Sequence, residues 1–368
     1  MHYKFDKNVE HFLNVITTLA KSKNFRLFFV GGCVRDNLLN LEIKDFDLIV
    51  EGNALELIEI LPDEIHLKSV HKEFGTIKVE WQNTIYDIAS TRLEKYPESG
   101  CLPVVYEIGV DIEKDVLRRD FTINSLYCEI KNENGLSFSL IDLTGGVCDI
   151  KNKTLRVLHK KSYIDDATRI LRGVDFKNRF GFDFSPRDKN LILEYFKTMN
   201  LQNASMDRIL HVFEKTLKTK GAFFDIITNK YYKLINKENL EIDFDFINEV
   251  INIFKPEKTE LFYLDVLKNQ PQTKIEVNCD YEIYQKFSKI KNLSYYYYKT
   301  KDKNALRYLK IKDIKLLING DDIKNLGIVE GKVIGKILKK ILTDKFQAPN
   351  DFKDKNDEIK KAHEYLNY

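Results

Sequence analysis

The chain has 368 residues, 43% of them apolar and 31% charged, and its net charge is only +3. That length supports two or three packed domains, and so even a charge balance excludes a polycation that binds nucleic acid along its whole length. No apolar run approaches the roughly 18 residues that a membrane span needs, so no membrane partner is expected.

The polar stretch from Met1 to Glu10 carries no targeting pattern, and a cytoplasmic protein is the expectation. Cys33, Cys101, Cys128, Cys148 and Cys279 form no C-x-x-C pair. They read as reduced thiols, with neither a disulfide framework nor a zinc site. Over residues 1–150 short β-rich runs alternate with helical spacing. The pattern predicts helices over 12–20 and 54–61, and strands over 27–30, 46–50, 75–80 and 85–89. After Asp166, apolar residues recur at three and four, which predicts helices to the end of the chain. Charge divides that helical part. Residues 241–282 hold ten acids against four lysines, whereas 286–315 hold ten basic residues and two acids around Tyr295-Tyr296-Tyr297-Tyr298. Residues 271–278 read as a linker. The expected fold class is α+β, with a head over 1–150 and helical segments over 151–218, 219–285 and 286–368.

Four pieces carry the chemistry. In Phe28-Phe29-Val30-Gly31-Gly32-Cys33-Val34-Arg35-Asp36 a strand meets a glycine turn and a helix start. Two glycines let backbone approach an anion, the first N–H groups of a helix attract phosphate, and Arg35 offers a bidentate contact. Asp45-Phe46-Asp47 opens the strand Leu48-Ile49-Val50, where alternation sends residues i and i+2 to one face. Two carboxylates held together repel unless a cation sits between them, and Mg²⁺ is the usual one in phosphoryl chemistry. Asp87, an acid within an apolar strand, is a third candidate: it is either at an edge or functional. Arg118-Arg119-Asp120-Phe121-Thr122-Ile123-Asn124 supplies donors for a triphosphate and polar partners for a ribose. Asp165-Asp166-Ala167-Thr168-Arg169-Ile170-Leu171-Arg172 places Asp166, Arg169 and Arg172 in a polar stripe if all three lie on one helix, which also fits a surface salt-bridge ladder.

In this order and spacing the four pieces resemble the class II tRNA nucleotidyltransferases and bacterial poly(A) polymerases of the polymerase β superfamily. The resemblance runs from about Phe28 to Phe184 and includes Asp142-Leu143-Thr144-Gly145-Gly146 and Arg156-Val157-Leu158-His159. It implies a polymerase β-like head with a small mixed sheet, followed by all-helical neck, body and tail. It assigns Mg²⁺ to Asp45 and Asp47; Asp87 is kept as a catalytic candidate on its place in the strand. Gly32, Arg35 and Arg119 would hold the nucleotide, Asp120 and Asn124 would lie near its ribose, and Asp166, Arg169 and Arg172 would read the base. The implied activity is addition of C, A or both to the 3′ end of tRNA, without a template, from CTP and ATP. Poly(A) synthesis and a catalytically inactive RNA-binding module are the alternatives. Lys299, Lys301 and Lys303 in the basic-aromatic stretch are the expected tRNA-backbone contacts. The chain departs from the family pattern at Asp175, where an arginine is usual, and at Val212, where a glutamate is usual. Nine residues past Asp166, about two and a half turns, Asp175 is expected to point away from it.

Overall fold

The computed structural model describes residues 3, 5–43, 45–199, 204–328 and 330–366; Met1, His2 and Lys4 of the polar N-terminal stretch lie outside the described residues. It divides into two compact units, one ending at Ile235 and the other beginning at Asn236.

The first unit is built on a mixed sheet. Its strands are β1 (Arg26–Val30), β2 (Phe46–Glu51), β3 (His66–His71), β4 (Thr76–Trp81) and β5 (Thr84–Ser90). A separate ribbon pairs β6 (Arg92–Lys95) with β7 (Val104–Ile108), and β8 (Leu126–Asn132) and β9 (Leu136–Asp142) complete the sheet. The sheet order is β3-β4-β5-β2-β1-β8-β9. Within this sheet, among the described residues, only β2 and β5 pair in parallel, which brings the ends of two strands that carry acids to the same edge of the cleft described below. The N-terminal helix Lys7–Ser22 is capped by the Asp6 carboxylate, which accepts from the Asn8 and Val9 N–H groups at 2.9 Å. Its buried residues Val9, Phe12, Leu13, Ile16 and Ala20 fall on one face at helical spacing, and Phe12 stacks on Tyr86 of β5. Residues 54–60 form a 3₁₀ helix where the apolar spacing predicts an α-helix.

Two helices after the sheet position the site. Thr168–Phe180 ends at Gly181, which takes a left-handed φ of +69° that costs glycine nothing. Met206–Leu217 starts at Ser205, whose hydroxyl accepts from the Arg208 N–H at 3.3 Å. Gly173 lets the first helix approach the segments that carry Phe184 and Phe121, since a Cβ there would fall 2.3 Å from the Phe184 ring and 3.2 Å from Phe121. Helix propensity alone would favour alanine by about 0.5–1 kcal/mol, but overpacking costs about 1–3 kcal/mol. Gly173→Ala is therefore expected to lower stability in thermal melts, the opposite sign to that of an exposed helical glycine.

The second unit is all-helical. Ile283, Phe287, Tyr296, Ala305, Ile311 and Phe346 form one core cluster, and Ile318, Ile323, Ile334, Ile337, Ile341 and Phe352 anchor another. A buried Lys345–Glu358 ion pair lies beside the second cluster, with Glu358 also accepting from the Leu317 and Ile318 N–H groups. Among the described residues no helix is long and apolar enough to cross a membrane.

Candidate active site

A cleft of about 870 Å³ opens in the first unit between the sheet and the two helices. Asp47 and Asp87 line it and are register partners across the parallel strands β2 and β5. Because β5 lies inside the sheet, edge exposure is not the reason an acid sits there. Lys78 on β4 pairs with Asp87 at 3.0 Å. Asp45 is placed differently from the expectation. β2 begins only at Phe46, so Asp45 sits exposed in a bend before it and does not line the cleft. The alternation argument thus applies to Asp47 alone, and the facing pair is Asp47 with Asp87. Burial pushes the Asp47 carboxyl up to about 6, and repulsion from Asp87 and then Asp45 adds to the effect.

On the glycine side, Gly31 takes a φ of +62° as it turns the chain from β1 into the short helix Gly32–Leu38. Gly32 and Arg35 line the cleft, but Arg35 is 5% exposed and already engaged. It donates to Asp36 at 2.8 Å and Asn124 at 2.6 Å, and stacks on Phe176 and Phe180. This arginine clamps the glycine turn to the 168–180 helix more than it offers a free fork to phosphate. Asn124 continues the chain of contacts by donating to Asp120, which pairs with Arg172 at 2.6 Å. Burial opposes ionisation of Asp120, yet Arg172 foremost holds its carboxyl below the usual range.

At the other end of the cleft Asp166 is 5% and Arg169 3% exposed. The expected stripe on one helix is not what forms. Asp166 has an extended backbone before the helix begins, and its Oδ1 accepts from the Thr168 N–H at 3.0 Å. Its Oδ2 pairs with Arg208 of the 206–217 helix at 2.5 Å. Arg169 donates to the Ser162 hydroxyl, to the Arg118 carbonyl at 3.1 Å and to the Tyr96 hydroxyl at 3.3 Å. No ladder joins Asp166, Arg169 and Arg172. Asp175 also lines the cleft and does not point away from Asp166. The turn-counting failed because Asp166 is off the helix. Val212 lines the cleft where a glutamate was the expected brace, and Arg208, one turn earlier, makes the contact with Asp166.

The basic-aromatic stretch lies in the second unit. Tyr295 and Tyr296 are buried, Lys299 donates to Asn269 at 2.7 Å, and Lys301 sits over the Phe246 ring. Burial holds the Lys301 ammonium below its usual range. Lys303 is exposed.

Residues 27–156 match the poly A polymerase head domain family. An A-adding tRNA nucleotidyltransferase of Aquifex aeolicus is 36% identical over 204 residues, covering 55% of this chain and 24% of that protein. One of Geobacter sulfurreducens is 28% identical over 380 residues, covering 86% of this chain and 43% of that protein. A solved CCA-adding enzyme in an apo form superimposes with a TM-score of 0.75 at 25% identity, covering 98% of this chain and 97% of that one. Residues 27–156 are thus similar to poly A polymerase heads, and the chain over most of its length is similar to A-adding and CCA-adding enzymes. It spans less than half the length of these two A-adding relatives.

Arg118 and Arg119 converge on a group that sequence reasoning missed. Asp115 is fully buried and pairs with Arg118 at 2.8 Å and Arg119 at 3.0 Å, while the Tyr127 hydroxyl donates to it at 2.6 Å. The signal was available, because the two arginines follow Asp115 at i+3 and i+4. Burial works against the charge, yet Arg119 and Arg118 hold the Asp115 carboxyl at about 2. Its folded value is depressed, so the stabilisation is present above about pH 4 and is lost as pH falls toward 2. Asp115→Asn leaves two arginines underpaired, and removing one partner of a buried pair costs about 3–5 kcal/mol. Urea titration at neutral pH should read that loss, and the difference from wild type should shrink at the acid end of the range.

Proposed function

We propose that this chain adds nucleotides to the 3′ end of tRNA without a nucleic-acid template, taking C, A or both from CTP and ATP and releasing pyrophosphate. The observation that carries the reading is one cleft that gathers a repelling carboxylate pair, Asp47 and Asp87, with the buried polar pair Asp166 and Arg169. The first suits phosphoryl transfer; the second suits recognition of a base. The two relatives described above are named A-adding, which favours ATP as a donor, while others similar to this chain are named CCA-adding enzymes. A tRNA substrate also suits a cytoplasmic location.

In the proposed reaction the RNA 3′-hydroxyl oxygen attacks the α-phosphorus. The new O–P bond forms as the bond to the β-phosphate bridging oxygen breaks, pyrophosphate leaves with the electron pair, and the hydroxyl proton is taken up by water beside the Asp47 and Asp87 carboxylates. The donors there are hard oxygens, which suit a divalent cation such as Mg²⁺. Among the described residues no three His, Cys, Asp or Glu side chains close into a metal cage. A pair of carboxylates completed by water and substrate phosphate is the usual way Mg²⁺ is held. Asp47 would hold it, with Asp87 in register and Asp45 approaching from the bend. Bound there, the cation would supply charge neutralisation and a more acidic attacking hydroxyl. The protein's own part is positioning. Asp120 and Asn124 orient the ribose, Arg119 and Arg172 neutralise phosphate charge, and Asp166 with Arg169 meets the base edge.

The test offers the protein tRNA lacking its 3′ end with each NTP singly, and sequences the product. Addition of one A or of CCA supports the reading. A long run of A points to poly(A) synthesis, and no addition with intact tRNA binding points to an inactive RNA-binding module. For the tail, the proposal keeps Lys299, Lys301 and Lys303 as tRNA-backbone contacts, now with Lys303 as the least engaged. Replacing all three with alanine should raise the tRNA dissociation constant and flatten the log–log salt slope by about 0.9 for each phosphate no longer neutralised. An unchanged slope would move the RNA contact elsewhere.

A further inference from the structure

The sheet order lays out what flanks the carboxylate pair. The glycine turn follows β1, Asp47 is on β2 and Asp87 on β5, and Lys78 is the register partner of Asp87 on β4. With strands about 4.8 Å apart, Lys78 stands about 10 Å from β2, on the side away from the glycine turn. Thr76, two residues earlier on β4, lines the cleft, and strand alternation puts Lys78 on the same face. Ile77 and Val79 are fully buried on the opposite face. Lys78 thus borders the cleft beside Asp87, with its side chain 41% exposed.

The Lys78 ammonium lies 3.0 Å from each Asp87 oxygen. That tie and the proposed reaction compete for one carboxylate. Once Asp87 serves a divalent cation, Lys78 loses its share of the charge and is repelled by the cation. Its flexible four-carbon stem then lets the ammonium turn to another anion. Lys68 reaches the same face but is matched there by Glu80, at 2.7 Å.

In-line displacement decides which anion comes within reach. The attacking and leaving oxygens lie on opposite sides of the α-phosphorus. The groups that take the nucleotide lie on the β1 side: Asn124 accepts from Arg35, just past the glycine turn, and leads on to Asp120 and Arg172. The RNA 3′-hydroxyl therefore approaches from the β4 side, where Lys78 stands. One nucleotide separates that hydroxyl from the last phosphate of the RNA, a span that a lysine one strand from Asp87 can bridge.

We infer that Lys78 binds the last internucleotide phosphate of the RNA and so sets its 3′-hydroxyl beside the carboxylate pair. This rests on the nucleotidyl-transfer reading of the cleft. Lys78 then exchanges one anion for another, Asp87 in the free protein and the RNA phosphate in the complex.

The experiment uses the whole chain as wild type, Lys78→Met and Lys78→Arg. Each is given tRNA lacking its 3′ end, either natural or with an uncharged methylphosphonate as its last linkage. The measurements are KM for the RNA and for ATP and CTP, RNA affinity at equilibrium with Mg²⁺ but no NTP, and melting temperature. In the wild type the neutral linkage should weaken RNA binding and raise its KM by about three- to tenfold, a modest loss for a charged hydrogen bond because Lys78 is partly exposed. Lys78→Met should show the same rise on natural RNA and no further rise on the neutral linkage, since both changes remove one contact. Its log–log salt slope should flatten by about 0.7, the share of one single-strand phosphate. Lys78→Arg should keep most of the affinity, and KM for ATP and CTP and melting temperature should hold throughout. If Lys78→Met and the neutral linkage weaken binding independently, another group holds the phosphate and the inference is overturned. A fall in turnover with RNA affinity kept overturns it as well, leaving Lys78 as a support for Asp87. A wild type that uses no NTP fails the reading of the cleft itself, whereas an active wild type indifferent to the neutral linkage fails only this inference.

Discussion

Asp47→Asn is expected to abolish nucleotide addition while making the metal-free protein more stable above about pH 6. The first half follows from the geometry of the carboxylate pair. Losing one oxygen donor to the cation and its charge removes several kcal/mol from the transition state, about three orders of magnitude or more in rate. The second half follows from the direction in which Asp47 titrates. Its carboxyl is pushed up to about 6, first by burial and then by Asp87 and Asp45. A folded value raised above the unfolded one means that ionising the group works against the fold. The penalty is absent below about pH 4, grows as pH rises through 6, and reaches up to about 3 kcal/mol before solvent screening reduces it. Asparagine has no charge to lose, so its advantage in melting temperature should appear at pH 8 and vanish at pH 4. A carboxylate that merely braced the strand would give the reverse, a loss of stability at pH 8 with turnover largely kept.

That divided expectation, inactive yet more stable, separates what the sequence carried from what it did not. Strands at 27–30, 46–50, 75–80 and 85–89 were legible because their apolar runs are bounded by turn residues, and each is found within a residue or two. His66–His71 was not, for it lies at the edge of the sheet with mostly exposed side chains and shows no apolar alternation. Leu126–Asn132 carries Glu129 in its middle, and the partner that makes Glu129 tolerable is Arg26, 103 residues away. Local pattern cannot supply such a pairing. The site shows the same division. Motif order brought Asp47, Asp87, Arg119, Asp120, Asn124, Asp166, Arg169 and Arg172 together, and one cleft gathers them. Which oxygen faces which nitrogen was another matter. A break before the 168–180 helix turned an expected stripe into two separate contacts, Asp166 with Arg208 and Arg172 with Asp120. A strand beginning one residue late left Asp45 outside the cleft.

Asp166→Asn is expected to relax the choice of base by about ten- to a hundredfold, with a smaller effect on turnover. Cytosine and adenine each present an exocyclic amine, which donates, beside a ring nitrogen, which accepts; uracil and guanine present the reverse. An ionised Asp only accepts and an Arg only donates, so Asp166 beside Arg169 matches the first pair and opposes the second. In the proposed reading Asp166 is held in place for this. It is buried, Oδ1 is held by the N–H and the hydroxyl of Thr168, and Oδ2 by Arg208 at 2.5 Å. A carboxylate has about four acceptor positions, so those contacts orient it and leave room for an amine. Asparagine keeps the shape but replaces one acceptor with a donor. That donor faces Arg208, which cannot accept, and it can now serve the carbonyl of uracil or guanine. Incorporation of all four NTPs, each measured singly and then in competition, reads the change. Arg208→Ala should loosen discrimination in the same direction, because Asp166 loses its orientation while its charge remains. If Asp166 were only a tie between the two helices, both variants would lower the melting temperature and leave the order of the four NTPs untouched. That outcome would assign the base edge to other residues of the cleft.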